Sequence, residues 1–374
     1  MNKVRFGDIV SEIKVNVDRN CNPYERYVAG DHMDSEDLTI HRYGNFATDD
    51  VGPAFTRIFK PGQILYGSRR TYLKKVAVAS FEGICANTTF VLESKDDSIF
   101  DNRLLPFVML SDKFTQWSIS HSKGSTNPYV LFSDLADFEF TLPPIEEQHV
   151  LADKLWAAYK LKESYKTLLV ATDEIVKSQF IEMFGTLDEP RVEVKRLRDI
   201  VVSSGQYGSN TPATDYELGM PRYIRITDIN DDGSLNDDIK GAMGMDPKYK
   251  LLPGDIVFAR TGATVGKTYM HKSGDAIYAG YLIKYQMNLQ KIRPTFLMAY
   301  THSRPYYNWV SKTQKVGAQP NISAAQYDSM PVLVPTVQEQ DTFLNIYHQA
   351  DKSKFELRKS IDAIDQVIKS LINN

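Results

Sequence analysis

The sequence predicts an α+β chain in which one unit is used twice, each unit being a β-rich region followed by a long helix. Three observations carry that reading. Sequence markers recur in one order at nearly one spacing. Short apolar runs are broken by Gly, Asn, Asp and Pro, which is strand and turn chemistry. Two further stretches hold a heptad pattern, which is coiled-coil chemistry.

The repeat is the firmest of the three. "LPPIEEQ" (Leu142 to Gln148) recurs as "VPTVQEQ" (Val334 to Gln340), 192 residues later. "DEIVKSQF" (Asp173 to Phe180) recurs as "DQVIKSLI" (Asp365 to Ile372), and "KPGQILY" (Lys60 to Tyr66) as "LPGDIVF" (Leu252 to Phe258), both at the same offset of 192. Near the two starts, "VRFGDIV" (Val4 to Val10) answers "KRLRDIV" (Lys195 to Val201) at 191. Half of the 374 residues is about one period, so the chain is two copies of one unit.

Within each unit the first part reads as short strands, such as "QILYG", "KVAVA" and "TTFVL". A proline-marked boundary comes next, Pro143-Pro144 in the first copy and Pro335 in the second. Glu146, Glu147 and Glu339 then fall in a first helical turn, where they complement the helix dipole. The predicted divisions are residues 1–143 and 186–335 for the β-rich regions, and 144–185 and 336–374 for the helices.

Steps of four and three run along both helices. In the first they pick out Leu151, Leu155, Ala158, Lys162, Tyr165, Leu169, Thr172, Val176 and Gln179. In the second they pick out Phe343, Tyr347, Ala350, Lys354, Leu357, Ile361, Ile364, Ile368 and Leu371. Helices over about 145–184 and 337–372 would each be roughly 60 Å long. Antiparallel pairing would bury both seams and give pseudo-twofold symmetry. The alternative is two amphipathic helices packed separately on their own halves, and Lys162, Thr172 and Gln179 make the first seam imperfect.

Composition narrows the class. With 44 basic and 47 acidic residues the net charge is −3, which excludes a globally basic nucleic-acid binder but not a local basic face. Cys21 and Cys85 stand in no CxxC spacing, and the seven histidines form no HxxxH pair. The start, MNKVRFGDIV, is unlike a signal peptide, and no apolar run approaches the ~18 residues of a membrane span. The expectation is a soluble cytoplasmic protein without a metal of its own.

One stretch suggests nucleotide chemistry. "FARTGATVGKT" (Phe258 to Thr268) resembles a phosphate-binding loop, but only Ala263, Thr264 and Val265 separate Gly262 from Gly266, one residue too few. The residues after Lys267 read as strand, turn and strand rather than the required helix. The repeat sets "YGSRRTYLKKV" (Tyr66 to Val76) opposite it, with Arg70 and Lys74 facing the two glycines. A cradle that needs glycine backbone geometry is not expected from Arg and Lys.

Two repeats of a variable region, each closed by "PPIEEQ" or "PTVQEQ" and a long helix, resemble the DNA-specificity (S) subunits of Type I restriction–modification systems. "KPGQILYGSRRTYLKKVAVA", "LPGDIVFARTGATVGK", "GSTNPYVLFSDLADFEFTLPP" and "GAQPNISAAQYDSMPVLVP" fit the same pattern, so the resemblance covers essentially the whole chain. It implies two target-recognition domains held apart by a helical spacer, a bipartite DNA target, and no catalysis by the chain itself. It also implies two modification subunits, which are S-adenosylmethionine-dependent adenine methyltransferases, and restriction subunits that use ATP and Mg. Those cofactors would sit on the partners.

Given that resemblance, side chains able to reach base edges become candidates for DNA contact. In the first copy they are Arg69, Arg70, Lys74 and Lys75 on the turn, Asn87 and Thr88, and Ser125, Thr126, Asn127 and Tyr129 before the helix. In the second they are Arg260, Thr261, Thr264 and Lys267, then Tyr281, then Gln319 and Asn321. Lys75 and Lys267 share one repeat position and suit a common phosphate role. Arg69 and Arg70 are not matched by arginine in the second copy and suit sequence discrimination, since phosphate contacts position while base contacts specify. Glu146, Glu147, Gln148, Glu339 and Gln340 are candidates for the partner interface, with helix capping as the alternative for the acidic ones.

Two competing classes remain open on sequence alone. A recognition chain with its own methyltransferase or nuclease would need a cofactor loop or a carboxylate cluster. "NPY" at Asn22–Tyr24 and Asn127–Tyr129 lacks the second proline of the Asn-Pro-Pro-Tyr motif, and "ESK" at Glu93–Lys95 follows no Pro-Asp. A structural adaptor that binds protein rather than DNA is the other.

Overall fold

The computed structural model describes residues 2–18, 21–242, 244, 246–314 and 320–373. The chain divides into two compact units, Met1–Lys166 with Arg358–Asn374, and Thr167–Leu357.

One four-stranded sheet has the same strand order in both units. In the first, Ile64–Gly67 is an inner strand between Thr89–Ser94 and Val76–Val78, with Val10–Glu12 at one edge. In the second, Ile256–Ala259 lies between Leu282–Tyr285 and Thr268–Met270, with Gln206–Tyr207 at the edge. A companion sheet in each unit contains one parallel pairing, Arg26–Val28 with Gly83–Ala86 and Arg222–Ile224 with Ala276–Tyr278. A two-stranded ribbon in each joins the start of the β-rich region to the segment before the long helix that follows it, Asn2–Arg5 with Glu139–Leu142 and Glu193–Arg196 with Pro331–Val334.

The inner strands read as continuous apolar runs because both of their faces are covered. Successive side chains point to opposite faces. Ile64 and Tyr66 accordingly enter the larger core of the first unit and Leu65 the smaller one. Ile256 and Phe258 likewise face the larger core of the second unit, and Val257 and Ala259 the smaller.

The long helices run Ile145–Phe184 and Val337–Asn373. Every one of the eighteen predicted seam positions is buried or half-buried. In the first unit Ala152, Leu155 and Tyr159 share a core with Ile368, Ile364 and Leu371. In the second, Val176, Phe180 and Phe184 share one with Phe343 and Tyr347. The lysines that interrupt the seams have a structural reason. Lys162 Nζ donates to Asp365 Oδ1 at 2.6 Å inside the first unit, and Lys354 Nζ to Asp173 Oδ1 at 2.8 Å inside the second. Lys354 is Lys162 plus 192 and Asp365 is Asp173 plus 192, so one ion pair occurs twice with the helices exchanging roles. A polar pair at a seam position sets register more than it adds stability.

Another charged cluster ties a loop of the first unit to its helix. Asp37 is buried, accepts from Tyr159 Oη at 2.7 Å and from Lys166 Nζ at 2.9 Å, and lies 3.3 Å from His41 Nε2. Asp37, His41 and Glu163 stand close enough to share a cation, but Lys166 already reaches both carboxylates, Glu163 at 2.8 Å. Burial opposes the Asp37 charge. The bonds from Lys166, Tyr159 and the Thr39 amide outweigh it and hold the carboxyl at about 2. A depressed carboxyl contributes stability above its unfolded pKa of about 4, and that contribution fades as pH falls through the folded value. Acid titration of the wild type should therefore show about 2 kcal/mol lost between pH ~4 and ~2 that Asp37→Asn does not show. Equal acid sensitivity in the two proteins would remove Asp37 from the account.

Candidate nucleic-acid interface

The turn after each inner strand is held by one set of main-chain bonds, repeated at an offset of 192 on both sides. In the first unit the Arg70 amide donates to Pro128 O at 2.7 Å and the Val130 amide to Ser68 O at 3.0 Å. In the second, Gly262 donates to Pro320 O at 3.0 Å and Ile322 to Arg260 O at 2.9 Å. Arg69 and Tyr129 form an antiparallel bridge, as do Thr261 and Asn321. A third segment joins each clasp, through Ser68 N–H to Thr88 O at 3.0 Å and Arg260 N–H to Tyr281 O at 3.1 Å. Residues widely separated in sequence thus converge on one tip per unit.

Local chemistry explains the turns. Gly262 and Gly266 take left-handed φ values of +71° and +87°. Arg70 and Lys74, their counterparts, also bend left-handed, at +50° and +47°. The absence of a cradle stands, but its ground does not, because Arg70 and Lys74 do bend as the glycines do, and packing shows why. A Cβ at residue 262 would meet nothing within 4 Å, so only the intrinsic backbone cost opposes a side chain there. A Cβ at residue 266 would come within 2.9 Å of Val310, whose counterpart in the first unit is the smaller Ser118.

The loop is not an anion cradle. The amides of Gly262, Val265, Gly266 and Lys267 donate to Pro320, Gly262, Ala259 and Thr264 carbonyls, so they are already satisfied. After Lys267 comes the strand Thr268–Met270, not a helix.

The tips differ in what they display. Arg69 and Arg70 are exposed, and Arg70 Nε donates to Asn127 Oδ1 at 3.2 Å. Asn87, Ser125, Thr126 and Tyr129 are exposed as well, while Thr88 is half-buried. In the second unit Thr261 is buried, Thr264 and Asn321 are half-buried, and Tyr281 is 60% exposed. Arg260 is half-buried, its guanidinium 4.8 Å from the Tyr207 ring centroid. Gln319 lies outside the described residues.

Several lysine candidates already have internal partners. Lys74 Nζ sits 2.9 Å from Glu36 and 3.4 Å from Asp112, half-buried and neutralised. Lys75 Nζ donates to Gly30 O, and Lys267 Nζ to Ile229 O at 3.3 Å and to Asp231 at 2.8 Å. What Lys75 and Lys267 visibly share is the tethering of a loop by its main-chain carbonyl. A phosphate would have to compete with that bond.

The helix-start candidates separate in the same way. Glu146 and Glu147 are exposed. Glu339 forms a capping box with Thr336, accepting from its amide at 2.9 Å and its hydroxyl at 2.8 Å. Gln148 and Gln340, expected on the docking surface, are buried instead. Gln148 accepts from Asp101 N–H at 3.0 Å and donates to Ile99 O at 3.0 Å and Pro143 O at 2.9 Å. Gln340 repeats this with Arg293 N–H at 2.8 Å and with Lys291 and Pro335 carbonyls at 2.9 Å. These side chains are internal struts, and no surface of theirs is left to dock.

Two aromatic groups at the tips were missed from sequence. Tyr72, 54% exposed, sits on the short 3-10 turn Thr71–Leu73 between Arg70 and Lys74. Its signal was present in "RRTYLKK", an aromatic among cations. Tyr207 gave none, because only folding brings it beneath Arg260.

Because Arg70 holds an unfavourable φ, Arg70→Gly should raise stability by about 1 kcal/mol in urea unfolding. A loss of stability would mean that the Asn127 bond outweighs the strain.

A four-stranded sheet of one strand order in both units and one clasp at each tip define a duplicated scaffold. Residues 36–169 and 190–366 match the family model for the Type I restriction modification DNA specificity domain, and the chain belongs to that family. It is 30% identical over 151 residues to the Type I restriction enzyme EcoDI specificity subunit of Escherichia coli. That match spans 40% of this chain and about a third (32%) of that relative's length. The fold is similar to a chain from a solved structure concerned with complex assembly and conformational transition of the type I R-M system. There the TM-score is 0.58 at 18% identity, over 99% of this chain and 96% of that one. It is similar also to the Type-I restriction-modification system S subunit from M. genitalium, with TM-score 0.54 and 15% identity over 99% and 94% of the two chains. Among the described residues no helix is long and apolar enough to cross a membrane.

Proposed function

We propose that the chain is the sequence-reading subunit of a Type I restriction–modification complex, with one DNA half-site read at the tip of each unit. The observation that carries this is the clasp built identically in both units but tipped differently, Arg69, Arg70 and Tyr129 against Thr261, Gly262 and Asn321. A constant frame with variable polar tips is what reading two unlike sequences requires. The target is then bipartite and need not be palindromic.

The long helices serve as an antiparallel coiled-coil spacer with pseudo-twofold symmetry, a reading supported by the exchanged pairs Lys162–Asp365 and Lys354–Asp173. Residues 1–143 and 186–335 are the target-recognition domains in this scheme, and 144–185 and 336–374 the spacer helices. The exposed helix faces and starts, Glu146 and Glu147 among them, take two modification subunits, which in turn recruit restriction subunits. S-adenosylmethionine, ATP and Mg belong to those partners, and this chain supplies recognition without catalysis.

The test is selection from a randomised duplex library by the chain together with its modification subunit. Two fixed blocks separated by a gap of constant length and free sequence are expected. Binding without sequence preference would overturn this reading, and no binding at all would favour the structural adaptor.

A further inference from the structure

Arg260 follows the inner strand Ile256–Ala259 of the second unit, and the clasp fixes its main chain on both sides. Its amide donates to Tyr281 O at 3.1 Å, and its carbonyl accepts from the Ile322 amide at 2.9 Å. Its guanidinium lies over the Tyr207 ring, 4.8 Å from the centroid. That ring is fixed in turn. Tyr207 pairs with Ile283 in the sheet, and its hydroxyl accepts from the Ala324 amide at 3.1 Å. Among the described residues the guanidinium has no hydrogen-bond or ion-pair partner, and its Nε–H is buried without one. Other arginines of the unit are paired, Arg225 with Asp228 and Asp238, and Arg293 with Asp341.

A half-buried cation without a carboxylate costs stability, and an aromatic face offsets only part of that cost. Folding alone therefore does not account for Arg260. Lys267, the other cation proposed at this tip, is already paired with Asp231 at 2.8 Å. The position 192 residues before Arg260 is Ser68, which is buried and donates its hydroxyl to Thr88 O at 2.7 Å. The free guanidinium thus belongs to one copy alone, as a sequence-reading group would and a phosphate contact common to both tips would not. It offers only donors, in a planar fork whose orientation the ring and the clasp fix beforehand. Guanine displays two adjacent acceptors, O6 and N7, in the major groove. Adenine and cytosine place an amino donor on that edge, and thymine has a single acceptor there.

We propose that Arg260, positioned by Tyr207, reads a guanine through its O6 and N7 in the half-site of the second unit. The proposal rests on the reading that each tip contacts one DNA half-site.

The test uses the full chain, the modification subunit proposed as its partner, and the duplex that selection from the randomised library yields. Each guanine of the second block is replaced in turn by 7-deazaguanine, which lacks the N7 acceptor. One replacement should weaken binding by the wild type about fivefold or more and leave binding by Arg260→Met unchanged. That variant keeps the apolar stem over the ring, and the guanidinium it loses has no internal partner, so it should stay folded. Tyr207→Leu should shrink the wild-type ratio of affinities for the two duplexes, and Tyr207→Phe, which keeps a ring, should retain it. The ratio is taken within each variant, so a general loss of stability does not imitate the effect. A second block without guanine, no effect of 7-deazaguanine on the wild type, or an equal effect on Arg260→Met overturns the proposal and leaves the two-block reading standing. So does a loss in Arg260→Met that falls equally on all sequences with a shallower salt dependence, which marks a phosphate contact. Selection of no second block at all overturns the half-site reading, and this inference with it.

Discussion

Replacing Arg69 and Arg70 together by alanine is expected to lower affinity for the selected duplex by about 10- to 100-fold and to relax preference in one block only. Both side chains are exposed at the tip of the first unit, and one is oriented by Asn127. A bidentate arginine–guanine pair discriminates by about 1–3 kcal/mol, so losing one such pair already accounts for the lower end of that range. The second block should be unchanged, because the second tip presents different residues on its own clasp. Uniform weakening of all sequences, with a shallower salt dependence, would place the two arginines on phosphates instead.

The largest stability effect is expected from Gln340→Leu. Its side chain satisfies one buried amide and two carbonyls, and an apolar replacement leaves all three without a partner. Unmade bonds of this kind cost about 1 kcal/mol or more each, so a loss of about 3 kcal/mol is expected. Hydrogen exchange read along the strand Pro331–Val334 should localise that loss to the second unit. Gln148→Leu should act equally on the first. Small, delocalised changes in both variants would mean that water replaces the side chain, and the strut reading would fail.

The glutamines also show where sequence reasoning stops. The repeated "EEQ" and "QEQ" announced a helix start, and the helices do begin at Ile145 and Val337. Periodicity assigns a face to each side chain, but it does not register which distant carbonyls a polar group in the first turn will meet. Gln148 and Gln340 therefore looked like surface. The same limit hid the partners of Lys74, Lys75 and Lys267, whose bonds close across loops separated by dozens of residues. It hid the left-handed backbone at Arg70 and Lys74, because strain at a non-glycine residue leaves no mark in composition. The seam, in contrast, was legible, since a heptad is a local pattern. Even its defect at Lys162 became intelligible once the offset of 192 brought Asp365 into correspondence with Asp173. Internal repetition did for this chain what no single motif did. It exposed "FARTGATVGKT" as one of two versions of a turn, and the satisfied amides of that turn agree.

The measurement that bears most directly on the central claim is a map of methylated adenines in cells carrying this chain with the modification subunit proposed as its partner. The wild type and the Arg69→Ala, Arg70→Ala variant would be compared. A motif of two blocks at fixed separation is predicted, with the variant altering one block and leaving the other and the spacing intact. One continuous block, or a change in both blocks on altering the first tip alone, would contradict a chain that reads each half-site with a separate unit.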